Sequence, residues 1–318
     1  MRSVTQKYMN RRALLTLADL KPEDISEIGD IAFRYSEAPT DFAGKLKGKR
    51  VGFVFIAPST RTRASFWSAA TTLGCNVLHM GAADLQLATG ETWNDTGKIL
   101  ANYLDAVVVR SNGPQHELTE LSTHIPATIN ALTYHEHPTQ AIADLCAMRE
   151  HFGDIKGLRI AYLGEVNNTA RALALLVCKL PFERLDVYSP DGLGFPEKEI
   201  AALNAIRDGN PVRQHFKLPL SPDPADIVYT TRWHSMDKPR HDRDWLSRFA
   251  QFAITKKTIT SFSGSKEAVF MHDLPAIRGQ EVESDVLDGV NTTSLVMKQV
   301  HHKTSAAASS LLWSMSKT

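Results

Sequence analysis

The chain has 318 residues, 43% of them hydrophobic, with Lys+Arg 36 against Asp+Glu 35 and a formal net charge of +1. That length supports two domains with separate cores, and the balanced charge gives no footprint for a nucleic-acid or membrane-surface partner, which leaves small-molecule work. No apolar run approaches the roughly 20 residues of a membrane helix, MRSVTQKYMNRR lacks a signal-peptide core, and Cys75, Cys146 and Cys178 are spaced as buried thiols, so a cytoplasmic protein without disulfide framework or metal site is expected.

In chain order, residues 13–36 carry Leu14, Leu17, Ile25, Ile28 and Ile31, and Lys21-Pro22-Glu23-Asp24 opens a helix with proline in its first turn and acids at its positive end. Val51 to Ile56 is a β-branched and aromatic run that predicts a buried strand. Pro58 and Ser59 break it, and Thr60-Arg61-Thr62-Arg63 starts a helix whose Phe66, Ala69 and Ala70 recur at helical spacing. A helix start presents unpaired N–H groups and partial positive charge, so the hydroxyls of Ser59, Thr60 and Thr62 with two guanidinium groups make a seat for a dianion such as phosphate. Capping by Ser59 with solvated arginines is the alternative, although capping needs fewer donors.

Cys75–Met80 reads as a second strand, 81–90 as a polar loop, 93–104 as a helix and Ala106–Arg110 as a strand. Arg110 then falls at a carboxyl strand end, where open α/β sheets keep their ligands. After a strand over 127–132, Pro138 suits the first turn of a helix, with His137 at its N-cap and Gln140 just inside. Both side chains can point out of that mouth toward one ligand; a capping histidine beside a surface glutamine is the alternative.

The pattern restarts after Phe152-Gly153, which places a domain boundary near residue 150. The turn Gly164-Glu165-Val166-Asn167-Asn168 follows a strand over 158–164 but has one glycine, where close approach to a pyrophosphate takes Gly-x-Gly-x-x-Gly, so no nucleotide cofactor is expected. Its amides suit an amino-acid carboxylate, or serve only as caps. Strands over 184–189 and 225–231 flank a helix over 197–206; Thr231-Arg232 and, further on, His272-Asp273-Leu274-Pro275 close strands on one edge, and a helix covers 294–315. The alternation predicts an α/β protein of two doubly wound parallel-sheet domains, 1–150 and 151–292, with a closing helix over 293–318.

Ser59-Thr60-Arg61-Thr62-Arg63 after a strand resembles the carbamoyl-phosphate motif of the aspartate and ornithine transcarbamoylases, and His137-Pro138-Thr139-Gln140, Asn167-Asn168, Ser235-Met236 and His-x-Leu-Pro-Ala follow in the family's order. The resemblance spans almost the whole chain. It implies a carbamoyltransferase with its active site in the cleft between two domains, without cofactor or metal. Carbamoyl phosphate would be bound by Ser59, Thr60, Arg61, Thr62, Gln86, Arg110, His137, Gln140 and Lys303, with Arg61, Arg110, His137 and Gln140 catalytic. It also implies a closing helix that crosses back onto the first domain, and a homotrimer in which a neighbour donates the loop that carries Gln86. The amino acid would meet Asn167, Asn168, Thr231, Arg232, Ser235, Met236, Asp273 and Leu274.

The acceptor motifs are mixed. An ornithine enzyme of this family carries Asp where Thr231 stands, Cys where Asp273 stands and usually Arg where Lys303 stands, while Thr-Arg at 231–232 resembles the aspartate branch. The expected acceptor is an ornithine-like diamino acid, ornithine or a shorter relative such as 2,3-diaminopropionate. The alternatives are aspartate carbamoyltransferase-like activity and a non-catalytic carbamoyl-phosphate-binding protein of the same fold.

Overall fold

The structure, a computed structural model, describes residues 12–233 and 245–316. Its chain divides into two units, Met1–Cys146 with His301–Thr318, and Ala147–Val300.

The first unit is built on four parallel strands: β1 Arg50–Phe55, β2 Asn76–Met80, β3 Ala106–Arg110 and β4 Thr128–Leu132, in the order β2-β1-β3-β4. β1 and β3 are apolar almost without interruption, as strands covered on both faces must be. Gly52 interrupts β1 because a Cβ there would lie 2.5 Å from Leu104 Cδ1. One side of the sheet packs Val54, Val107 and Val109 against Trp93, Leu118, Leu121 and Ile125. Register aligns Phe55 with Arg110 and Arg110 with Leu132, so the segments leaving β1, β3 and β4 emerge on one edge. Strand order reverses between β1 and β3, the place where doubly wound sheets open a crevice for ligands.

The second unit has five parallel strands: β5 Arg159–Leu163, β6 Arg184–Tyr188, β7 Val212–His215, β8 Ile227–Thr230 and β9 Val269–His272, in the order β7-β6-β5-β8-β9. Phe249, Phe252, Ile259, Phe262 and Phe270 fill its main core. Leu163 pairs with Thr230 and Thr230 with His272, so the turns after β5, β8 and β9 share an edge, with the reversal between β5 and β8.

Two parallel-sheet α/β domains were expected and are found, with local differences. The helix predicted over 93–104 is Trp93–Leu100, because Asn102 Nδ2 donates to the carbonyls of Lys98 (2.8 Å) and Ile99 (3.4 Å) and closes the last turn. The loop 81–90 contains two 3-10 turns, Ala82–Asp84 and Gln86–Thr89. The helices Gln115–Ser122 and Lys256–Phe262 and strand β7 have no counterpart in the sequence reading. The three cysteines are free thiols, with burial pushing Cys75 and Cys178 up to about 11. No helix among the described residues is long and apolar enough to cross a membrane.

Candidate active site

In the first unit, the helix Arg61–Thr72 begins directly off β1, and its N-cap residue Thr60 makes no side-chain cap. The first-turn N–H groups therefore face outward with Ser59 half-buried, Thr60 exposed, Arg61 half-buried and Thr62 buried around them. Arg110, at the end of β3, donates from Nη1 to Thr62 Oγ1 at 3.2 Å, which ties the two strand ends together.

His137 precedes the helix Pro138–Phe152 and is 5% exposed. Burial, then the positive charges of Lys303, Arg110 and Arg61, hold its imidazole well below the ordinary value of 6.5. It is thus a neutral ring among three cations, with the Thr139 hydroxyl 3.4 Å from Nδ1. One helical turn on, Gln140 is buried; its Nε2 donates to Asp144 Oδ1 at 2.8 Å and its Oε1 accepts from Lys303 Nζ. Because a carboxylate only accepts and an ammonium only donates, these partners fix which way round the amide sits. Lys303 comes from the helix Val296–Met315, whose part from His301 onward belongs to this unit.

Two supporting carboxylates escaped sequence reasoning. Asp144 lies four residues after Gln140, a spacing that puts both on one helix face and was the available signal. Glu136, fully buried beside His137, accepts from the Leu17 backbone N–H at 2.9 Å and from the Thr16 hydroxyl, and so anchors the chain before residue 20 to the histidine turn. Gln86 lies apart from this group: it is exposed, and its side chain accepts from Thr89 Oγ1 at 3.1 Å.

In the second unit, Asn167 caps the helix Asn168–Lys179, with Oδ1 accepting from Thr169 N (3.0 Å) and Ala170 N (3.1 Å). Its Nδ2 donates to Thr231 Oγ1 at 2.9 Å. Thr231 is 2% exposed and also lies 2.9 Å from the Tyr162 hydroxyl, which donates to the Glu165 carbonyl at 2.7 Å. Asn168 and Arg232 are half-buried, and Arg232 Nε finds no hydrogen-bond acceptor among the described residues. Asp273 accepts from Thr169 Oγ1 at 2.7 Å, and Leu274, at φ 57, donates its N–H to His272 Nδ1 at 2.8 Å. A leucine in this left-handed region is uncommon, and the donated hydrogen bond helps hold it there. Ser235 and Met236 lie outside the described residues.

The fold and these two strand-edge clusters define a two-domain parallel α/β protein with hydroxyls and cations gathered at a sheet edge of its first unit and amides and a carboxylate at a sheet edge of its second. The chain belongs to the aspartate/ornithine carbamoyltransferase family and is a carbamoyltransferase: the family's carbamoyl-P binding domain matches residues 12–150 and its Asp/Orn binding domain residues 156–315. It is 36% identical over 289 residues to the ornithine carbamoyltransferase of Anoxybacillus flavithermus, covering 87% of this chain and 89% of that one. With the Bacillus subtilis ornithine carbamoyltransferase it shares 33% over 318 residues, 95% and 93% of the two chains. The solved ornithine carbamoyltransferase of Pyrococcus furiosus superposes with a TM-score of 0.87 at 31% identity, covering 97% and 98%.

Proposed function

We propose that this enzyme transfers the carbamoyl group of carbamoyl phosphate to the side-chain amine of an ornithine-like diamino acid, either ornithine or a shorter or modified relative such as 2,3-diaminopropionate, and releases phosphate. The observation that carries the reading is the trio Arg61, Arg110 and Lys303 around a neutral His137. Three cations suit a phosphate dianion and its mixed anhydride, and a neutral imidazole can donate a hydrogen bond to a carbonyl oxygen without adding a fourth positive charge.

In the reaction the uncharged amine attacks the carbamoyl carbon, the bond from that carbon to the phosphate oxygen breaks, and the amine's proton leaves on the departing phosphate. Ser59, Thr60, Arg61 and Thr62 hold the phosphate and stabilise the charge it gains. Arg110, His137 and Thr62 polarise the carbonyl oxygen, each such donor supplying on the order of 3 kcal/mol. Gln140 Oε1 accepts from Lys303, and its second lone pair suits the carbamoyl NH2. Bringing the two reactants into one encounter supplies ~7 kcal/mol or more.

The same proposal assigns donor binding to residues 1–150 with the closing helix and acceptor binding to 151–292, which is supported by the two family matches. It places Asn167, Asn168, Arg232, Ser235, Met236, Asp273 and Leu274 with the amino acid. It takes the working form as a cytoplasmic homotrimer in which the exposed Gln86 serves a neighbouring subunit. The test is phosphate release and ureido-product formation with carbamoyl phosphate and a panel of amines. Product with a diamino acid, and loss of at least a hundredfold in kcat/KM for Arg61→Ala, are expected, on the order of removing one charged donor. Turnover untouched by Arg61→Ala would overturn the reading.

A further inference from the structure

The hydrogen bonds around Thr231 run in one direction, and that direction decides what the acceptor edge can bind. The capping role of Asn167 Oδ1 leaves its Nδ2 as the atom that faces Thr231, so Asn167 donates there. The single hydroxyl proton of Tyr162 goes to the Glu165 carbonyl, so Thr231 must donate to Tyr162. Thr231 therefore receives from Asn167 and gives to Tyr162, is 2% exposed, and carries no charge. It braces the turn and offers nothing to an ammonium group.

Asp273 has the complementary properties. Its side chain is 17% exposed, it accepts from the Thr169 hydroxyl, and no described lysine or arginine lies within ion-pair distance. His272 does not neutralise it: Nδ1 is 3.6 Å from Asp273 Oδ1, but that nitrogen accepts from the Leu274 N–H and so has no proton to give. A carboxylate partly removed from water with one hydrogen bond and no cation is costly unless a ligand supplies the charge. Asp273 also sits off β9, next to β8 in the sheet and close to the strand-order reversal.

We infer that Asp273, held by Thr169, is the seat for the acceptor's second, non-reacting ammonium group, and that Thr231 is a neutral strut held by Tyr162 and Asn167. This rests on the diamino-acid reading above and adds to it: the acceptor is selected for a cation at that point, and Thr169 is a positioning residue that acts through Asp273.

The test uses matched acceptors with and without that ammonium: ornithine against 5-aminopentanoate, and 2,3-diaminopropionate against 3-aminopropanoate. Calorimetric Kd values with inorganic phosphate present, and kcat/KM values with carbamoyl phosphate, are both measured. For the wild type, the ammonium should improve binding about tenfold or more in at least one pair, the scale of a hydrogen-bonded charge. Asp273→Asn should abolish that preference while leaving the KM for carbamoyl phosphate within about threefold. Thr231→Val should keep it, Thr169→Val should weaken it, and Thr169→Ser should restore it. Retention of the preference in Asp273→Asn, or its loss in Thr231→Val with the thermal midpoint unchanged, overturns the inference. Binding discrimination without ureido product would sink the proposed reaction and leave the ammonium seat standing.

Discussion

His137 is the residue through which the electrostatics of the first unit's cationic cluster can be read. Its folded-state pKa lies below 6.5, so between the two values the unfolded chain binds a proton that the native one does not. Stability is therefore full above about pH 6.5 and falls as the pH drops through that value. Thermal midpoints followed from pH 7.5 to 5 should decline more steeply for the wild type than for His137→Asn, and parallel curves would count against a buried neutral imidazole. Asp144→Asn should raise the KM for carbamoyl phosphate several-fold, because a neutral amide oxygen accepts from Gln140 Nε2 more weakly than a carboxylate and leaves Lys303 alone to orient the Gln140 amide; steady-state kinetics check this. At this scale the residues that cluster around His137 were legible because they fall in contiguous runs, Ser59 to Arg63 and His137 to Gln140. Asp144 and Glu136 were not, since Asp144 acts by holding Gln140 and Glu136 by holding Thr16 and Leu17, and nothing in a lone acid's local sequence says what it faces.

Among the elements, β7 shows most plainly what local pattern misses. Its sequence Val-Arg-Gln-His alternates nothing apolar, and it is fastened from outside. Asn204 makes a two-point bond with Val212, donating from Nδ2 to its carbonyl at 2.9 Å and accepting from its N–H at 3.0 Å, while Arg213 and His215 donate to Asp186 on β6. Burial works against the Asp186 carboxylate, but hydrogen bonds from Arg213, His215 and Arg184 outweigh it and keep the group below its ordinary value of 3.8. Its stabilisation is thus present above that value and lost as pH falls through the lower folded one. Asp186→Asn should cost ~3 kcal/mol at pH 7, as expected when one partner leaves buried charges unmatched, with the gap narrowing in acid; urea denaturation measures it. The helix Gln115–Ser122 was legible in principle, with Pro114 before it and Leu118 and Leu121 three apart, but that signal is only two turns long.

For the whole molecule, the decisive fact is that one unit is continuous and the other is not. Residues 301–318 carry Ala307, Ala308, Leu311 and Trp313 into the first unit's interior, where Trp313 Nε1 donates to Glu27 at 2.9 Å and Arg12 lies 4.5 Å from the Trp313 ring centroid. Burying Leu311 and Trp313 alone contributes roughly 2–3 kcal/mol each. A fragment of residues 147–300 should unfold cooperatively on its own, whereas 1–146 should not until a peptide of residues 301–318 is added. Fluorescence-monitored urea titrations test both, and a cooperative transition for 1–146 alone would refute the dependence. Strand–helix alternation made the two-domain architecture readable from sequence, because parallel sheets require a crossover between neighbouring strands.

That interleaving also orders events at the ribosome. Lys303, which donates to Gln140, is translated only after all of Ala147–Val300, so the nascent chain carries Arg61, Arg110 and His137 long before their third cation arrives. The cationic cluster around His137 cannot be complete part-way through synthesis, and its assembly is a late, all-at-once acquisition of the growing polypeptide.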